Sequence, residues 1–384
     1  MILTLRILLF AAGLAVVLLT TGSALRTVVL PRGVPAKLGR IVFLGLRAAY
    51  ALRMKRSRTY AARDAIMASF GPASLLVLLQ IWLVLVFAGY AARYVALGYA
   101  LVPALRESGS SLLTLGFDRP ADTASTLLAF TEALTGLVLL ALLITYLPSL
   151  YSAFSRREAR VTKLEVRAGS PPSGAELLWR VWTLGRGDLL DTLWETWEDF
   201  FVDIEETHTS FPALTFFRSP QPEHSWVTAA GAVLDGAALL ASSVEVERDL
   251  SAELSVRAGS LALRHINAYW GLDFPDDPRP EDPISVTRQE YDAALERMAE
   301  GGVPLRPDRE AAWRSFAGWR VNYDAVLLNL ASLTMAPEAP WSSGRPASSV
   351  RPPVLAGGHP GNPRSLIEDS LPDPGEAHGR AEQG

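Results

Sequence analysis

The chain has 384 residues, 49% hydrophobic and 20% charged, with 36 Lys and Arg against 40 Asp and Glu and no cysteine. Without cysteine there is no disulfide, no thiolate nucleophile, and no thiolate ligand for zinc or an iron–sulfur cluster. The near-neutral balance conceals a split: residues 1–167 hold 19 basic and 7 acidic side chains, whereas residues 168–335 hold 13 and 27. An acidic second half argues against nucleic-acid binding.

Residues 7–25 carry no charge and are long enough to cross about 30 Å of hydrocarbon. A signal peptide is one reading. With Arg6 as the only charge ahead of the run, an uncleaved N-terminal anchor over 1–30 is the preferred one. A basic loop over 31–65 follows, holding Arg32, Lys37, Arg40, Arg47, Arg53, Lys55, Arg56, Arg58 and Arg63. Within it, residues 41–52 are apolar apart from Arg47 and too short to span. They read as an amphipathic helix on the inner membrane face beside anionic lipid, or as a helix packed on the membrane bundle.

Residues 66–92 form a second uncharged run, and residues 124–154 a third whose only charge is Glu132. Arg156, Arg157, Arg160, Lys163 and Arg167 follow the third run. The positive-inside rule places both basic clusters in the cytoplasm. The N-terminus and residues 101–122 then face outward. Lysine numbers three against 33 arginines, and with abundant Ala, Leu and Gly this suggests a GC-rich bacterial source. The expected location is the inner, or plasma, membrane.

Between the second and third runs stands RESGSSLLTLGFDRPAD, residues 106–122. A short helix-compatible stretch leads into Thr114, Leu115, Gly116, Phe117 and Asp118. Non-helical backbone enters a bilayer only where protein or water satisfies its polar groups. A short re-entrant helix followed by an extended strand meets that demand in a pore, where carbonyls replace a cation's water shell. The carbonyl end of the short helix would add partial negative charge there. Gly116 permits a positive φ, and Thr114 can lend a hydroxyl. Asp118 would sit at the outer mouth or tie the loop to its helix.

SLLTLGFD, set between two spans with the loop outward, resembles the two-transmembrane, pore-loop family of potassium channels, whose filter reads T-x-G-Y/F-G-D. The resemblance covers residues 66–167. It implies an outer helix, a pore loop and an inner helix, a filter at Thr114–Asp118, and a homo-tetramer passing a monovalent cation, K+. Gly136 corresponds to the hinge glycine of family inner helices, and Pro148 can kink the same helix. The family's second filter glycine is absent. Either Asp118 replaces it, or one residue is deleted and Asp118 matches the family's aspartate.

Glu132 is an ionisable group inside a span, where such groups face protein or water and find a partner. It reads as a cation-attracting or filter-supporting residue, for which a protonated form is open, or as an interfacial glutamate. Thr131 and Thr135 stand within reach of it.

Residues 168–335 read as an acidic, all-helical cytoplasmic domain. Helical spacing marks 176–183, 188–206, 250–270, 287–300 with a Thr287–Glu290 capping box, and 309–333. On 188–206 one face holds Leu190, Leu193, Trp194, Trp197, Phe200, Phe201 and Ile204, and the opposite face is acidic. Residues 225–243 are apolar but carry Asp235, and read as a buried helix of this domain, with a re-entrant or membrane-resting helix as the runner-up. His208, His224, His265, His359 and His378 show no metal-ligand spacing, so no metal site, cofactor or catalytic residue is assigned. Residues 336–384, rich in Pro, Gly and Ser, read as disordered.

The expected fold is thus an all-α membrane protein with three transmembrane helices, a re-entrant pore loop between the second and third, and an all-helical cytoplasmic domain. The expected function is a channel subunit. A non-conducting membrane scaffold or signalling protein with a partner-binding domain is the alternative, and no enzyme is expected.

Overall fold

Leu, Ala and Val in long uncharged runs favour helix, whose backbone satisfies its own hydrogen bonds without water. The computed structural model describes residues 2–29, 37–55, 57, 59–185, 187 and 189–344. Thirteen α-helices occur among the described residues, with no strand and a single bridge pairing Val244 with Leu305. Four helical stretches are long and apolar enough to cross a membrane. They lie at Leu3–Val28, Tyr60–Leu97, Thr123–Ala168 and Trp226–Ser243. The chain divides into two units, the first comprising Met1–Tyr50, Asp64–Arg160 and Asp203–Ser219. The second comprises Ala51–Arg63, Val161–Val202 and Pro220–Gly384, described to residue 344.

In the first unit α1 (Ile2–Val28) packs on α4 (Phe70–Leu97). Gly13 lies against the Gly89 carbonyl, Gly89 against Val17, and Gly98 nearest Arg6, so the two helices run antiparallel. Small residues at both crossing positions let the backbones approach, which drives helix association where no hydrophobic gain is available. Arg93 lies over the rings of Phe10 and Tyr90, with its guanidinium carbon 4.7 and 4.9 Å from their centroids.

The basic loop of the sequence reading holds two helices, α2 (Lys37–Met54) and α3 (Tyr60–Ala68). Phe43 and Tyr50 of α2 join Phe70 and Phe216 in an aromatic cluster with centroid spacings of 4.9–6.5 Å. Asp64 of α3 pairs with Arg218. Then come α5 (Leu101–Leu112) and α6 (Thr123–Ala168), a continuous helix of 46 residues with Pro148 inside it.

Arg157 of α6 is fully buried in this first unit. It donates to the carbonyls of Leu214 (2.8 Å) and Phe217, and to Glu158. The first carbonyl lies within, and the second just after, a 3-10 turn, Pro212–Phe216, that follows α8 (Leu189–Ser210). His208, in the last turn of α8, directs Nδ1 to the Ile204 carbonyl (2.9 Å) and Nε2 to Arg157 (3.2 Å). The first contact makes Nδ1 the protonated nitrogen, so Nε2 accepts from the guanidinium. Burial, and then the Arg157 charge, push the imidazole well below its ordinary range.

The second unit is built around α9 (Trp226–Ser243), 94% of which is buried within the protein. Around it lie α7 (Gly174–Thr183), α10 (Leu250–Trp270), α12 (Arg309–Arg320) and α13 (Asp324–Thr334), with α11 (Arg288–Glu300) on α7. Gly174 meets α9 at Gly236, and Gly231 of α9 meets Leu327. The one charge of α9, Asp235, is compensated inside: Arg320 pairs with it and Tyr323 donates to it at 2.9 Å. Arg320 also donates to Asp324 at 2.7 Å. This shared arginine sits where the expected single helix over 309–333 breaks into two.

The capping box at Thr287 and Glu290 is present. The tail expected to be disordered from 336 is ordered in its first nine residues. Residues 336–344 are packed, with Trp341 and Ser342 buried, because Arg320 donates to the Trp341 carbonyl and the Trp341 ring meets Phe316. The remainder of that tail lies outside the described residues.

Candidate functional site

Gly98 ends α4 in the left-handed region at φ 111°, with its N–H returned to the last turn. The chain reverses and α5 runs back beside α4. At 12 residues α5 is ~18 Å long. Ser108 of α5 donates to the carbonyl of Phe87 at 3.1 Å, at a level ~15 Å back from the end of α4. Four residues on, the Leu112 carbonyl lies against Gly136, at a level ~20 Å into α6. The short helix therefore ends about halfway along the 28 residues of α4 and within the first third of α6.

Residues 113–122 then climb back. The Ala121 N–H donates to the Tyr99 hydroxyl at 2.9 Å, beside the turn where α5 began. Asp122 caps α6, accepting the Ser125 N–H at 2.8 Å.

The five residues singled out by the sequence lie in this returning loop. Thr114 has φ 54° and Gly116 φ 67°, with negative φ at Leu115 and Phe117. A regular strand points successive carbonyls to opposite sides, so positive φ at every second residue breaks that pattern. The expected extended strand is therefore replaced by an alternating backbone. The left-handed region is ordinary for Gly116 but strained for a β-branched threonine. Thr114, Leu115, Gly116 and Phe117 are all exposed in the single chain.

The loop is anchored to α5 by its own backbone. Leu115 donates to the Ser110 carbonyl at 2.8 Å, Thr114 to that of Ser111 at 3.0 Å, and Leu113 to that of Gly109 at 3.3 Å. These bonds consume helix-end carbonyls that the sequence reading leaves facing a cavity. Asp118 meets α5 through its backbone: its N–H donates to Ser110 Oγ at 3.1 Å. Its carboxylate lies 3.6 Å from Arg106, a half-exposed pair worth little by itself.

Glu132 is fully buried on α6 and faces α5, in hydrogen-bond contact with Ser108. Thr131 and Thr135 do not serve it. Their hydroxyls donate to the carbonyls of Leu128 and Thr131 on their own helix, the usual outlet for such side chains in apolar surroundings. Tyr94, Ser108 and Glu107 are the buried partners that sequence spacing missed. Glu107 and Ser108 reach Glu132 because α5 turns back beside α4, the helix that carries Tyr94.

Gly136 stands where the end of α5 meets α6, and a side chain there would collide with the Leu112 backbone. Pro148 lies deeper in α6 on an exposed face; lacking an N–H, it leaves the Ile144 carbonyl without its helical donor. Among the described residues no cluster of His, Asp and Glu has the geometry to hold a metal ion. What the site offers is exposed, alternating backbone beside the mid-length of α4, held by a short helix that packs on α4 and α6 through buried polar residues. Comparison with protein-family models, with curated proteins and with solved structures finds no match.

Proposed function

We propose that the chain is a subunit of a potassium-channel-like pore for monovalent cations, with the ion path formed by the loop 113–118. The observation that carries this reading is the depth of α5. It starts level with the end of α4 and stops against Gly136, so the loop leaves it near the bilayer midplane rather than at a surface. Polar backbone at that depth is tolerated only where it lines a cavity or is enclosed by protein. Exposure of Thr114–Phe117 in the single chain is what four copies around a shared axis would use, each supplying carbonyls to the ion.

In this reading α1, α4 and α6 are the three spans, and α9 belongs to a soluble domain, its aspartate being neutralised within its own unit. The basic residues of α2 and of the end of α6 then mark the cytoplasmic side of an inner or plasma membrane, with the N-terminus outside. The loop carries a single glycine, and an aspartate follows Phe117, which makes the K+ over Na+ ratio the quantity to measure. The test is cation flux from proteoliposomes loaded with K+ or Na+, wild type against Gly116→Ala. Flux lost in the variant supports a pore built on this loop. No flux from folded wild type moves the reading to a scaffold.

That second reading has its own observation. The carbonyls of Gly109, Ser110 and Ser111 are capped by the following loop, a closed arrangement that serves a structural re-entrant turn equally well. A fourfold assembly in the membrane favours the pore, and a monomer or twofold dimer the scaffold.

A further inference from the structure

Ser108 has one hydroxyl proton and two acceptors. Its Oγ lies 2.5 Å from Glu132 Oε1 and 3.1 Å from the Phe87 carbonyl oxygen. All of this is buried, as are Tyr94 and Glu107. The groups that face Glu132 are Ser108 and Glu107 from α5, and Tyr94 and Arg93 from α4. Arg93 makes no ion pair with Glu132 among the described residues and lies over the rings of Phe10 and Tyr90. Glu132 Oε2 is buried, and the Tyr94 hydroxyl lies buried beside the Glu132 carboxyl group.

Were Glu132 ionised, a wholly buried carboxylate would rest on the Ser108 and Tyr94 hydroxyls alone, with the Glu107 carboxyl close by and no paired cation. A buried charge without a hydrogen-bonded partner is among the costliest arrangements in a protein. Ser108 would also have to abandon Phe87. With a proton on Glu132 every contact falls into place, because the acid donates to Ser108 Oγ and Ser108 donates to the Phe87 carbonyl.

We propose that Glu132 is a proton-binding site, and that its proton heads a chain from Glu132 Oε1 through Ser108 Oγ to the Phe87 carbonyl, joining α6, α5 and α4. Removal of the proton turns the Ser108 hydroxyl from α4 to α6. Ser110, two residues further along α5, holds the Asp118 N–H.

The test is infrared spectroscopy of the full chain in lipid bilayers at neutral pH. The expected result is a protonated-carboxyl carbonyl band that shifts in D2O, is lost in Glu132→Gln and survives in Glu107→Gln. Ser108→Ala, which keeps the acid but removes its acceptor, shifts the band to higher frequency and covers the case of a Gln variant that does not fold. Absence of a protonated-carboxyl band, a band lost in Glu107→Gln instead, or a band unmoved by Ser108→Ala would overturn the assignment. The band is read without conduction: a chain that passes no ion shows it equally.

Discussion

The main-chain carbonyl of Leu112 lies against Gly136, so the end of α5 meets the first third of α6 backbone to backbone. A methyl at position 136 would enter space that the Leu112 backbone holds, and backbone yields less readily than a flexible side chain. Gly136→Ala should therefore cost about 1–3 kcal/mol of stability, as overpacked sites do, and Gly136→Leu more. Thermal unfolding in detergent reads both variants. An alanine variant as stable as wild type would mean that the helices do not approach this closely.

Thr114 and Gly116 share a left-handed φ and should respond in opposite directions. A Cβ at Gly116 meets nothing within 4 Å, so Gly116→Ala folds and loses only about 1–2 kcal/mol from backbone strain. Thr114→Gly removes a strained β-branched residue and should raise stability by about 0.5–1 kcal/mol. Unfolding midpoints of the two variants must straddle that of wild type.

Arg157 is buried, donates to two carbonyls and pairs with Glu158. Arg157→Ala is expected to cost about 3–5 kcal/mol, the range for breaking a buried pair by removing one partner. Limited proteolysis should show cleavage near residues 211–217 accelerated in the variant. Arg157→Lys, which cannot reach both carbonyls with a planar fork, should fall between.

His208 supplies an acid-side dependence of known sign. Its folded form resists protonation, whereas the unfolded chain takes up a proton near the ordinary imidazole value of about 6.5. Below that pH the unfolded state binds more protons, so stability falls as pH falls; above it His208 contributes no slope. Unfolding of wild type between pH 7.5 and 5 should lose stability more steeply than unfolding of His208→Gln. Parallel profiles would place the titrating group elsewhere.

The α1–α4 crossing rests on Gly13 and Gly89. Gly89→Leu should separate the helices without unfolding the second unit. The chain has no cysteine, so single cysteines introduced at Phe10 and Tyr90 form a unique pair. Their cross-linking yield should drop severalfold in the Gly89→Leu background.

Element positions were legible wherever composition alone decides them. Uncharged runs marked the cores of α1, α4 and α6, and helical spacing located α7, α8, α10 and α11, with Thr287 and Glu290 fixing the start of the last. The break between α12 and α13 was not legible, since no Gly or Pro stands there. It follows from Arg320, which reaches Asp235 from a distant helix while also holding Asp324. The loop at 114–118 was legible as a pattern, but its capping of α5 depends on the φ of Thr114, a residue type that gives no warning of a left-handed conformation. Glu132 stood out as an anomaly of charge. Its partner Ser108 lies 24 residues away, and only the third dimension selects it over the neighbouring Thr131 and Thr135.

At 46 residues α6 is ~69 Å long, more than twice the hydrocarbon it would cross. A rod of that length multiplies angle into distance. From Pro148 to Ala168 is ~30 Å of helix, so a tilt of about ten degrees at the proline sweeps the far end through ~5 Å. Pro148, which has no N–H to give the ladder, is where such a tilt would turn.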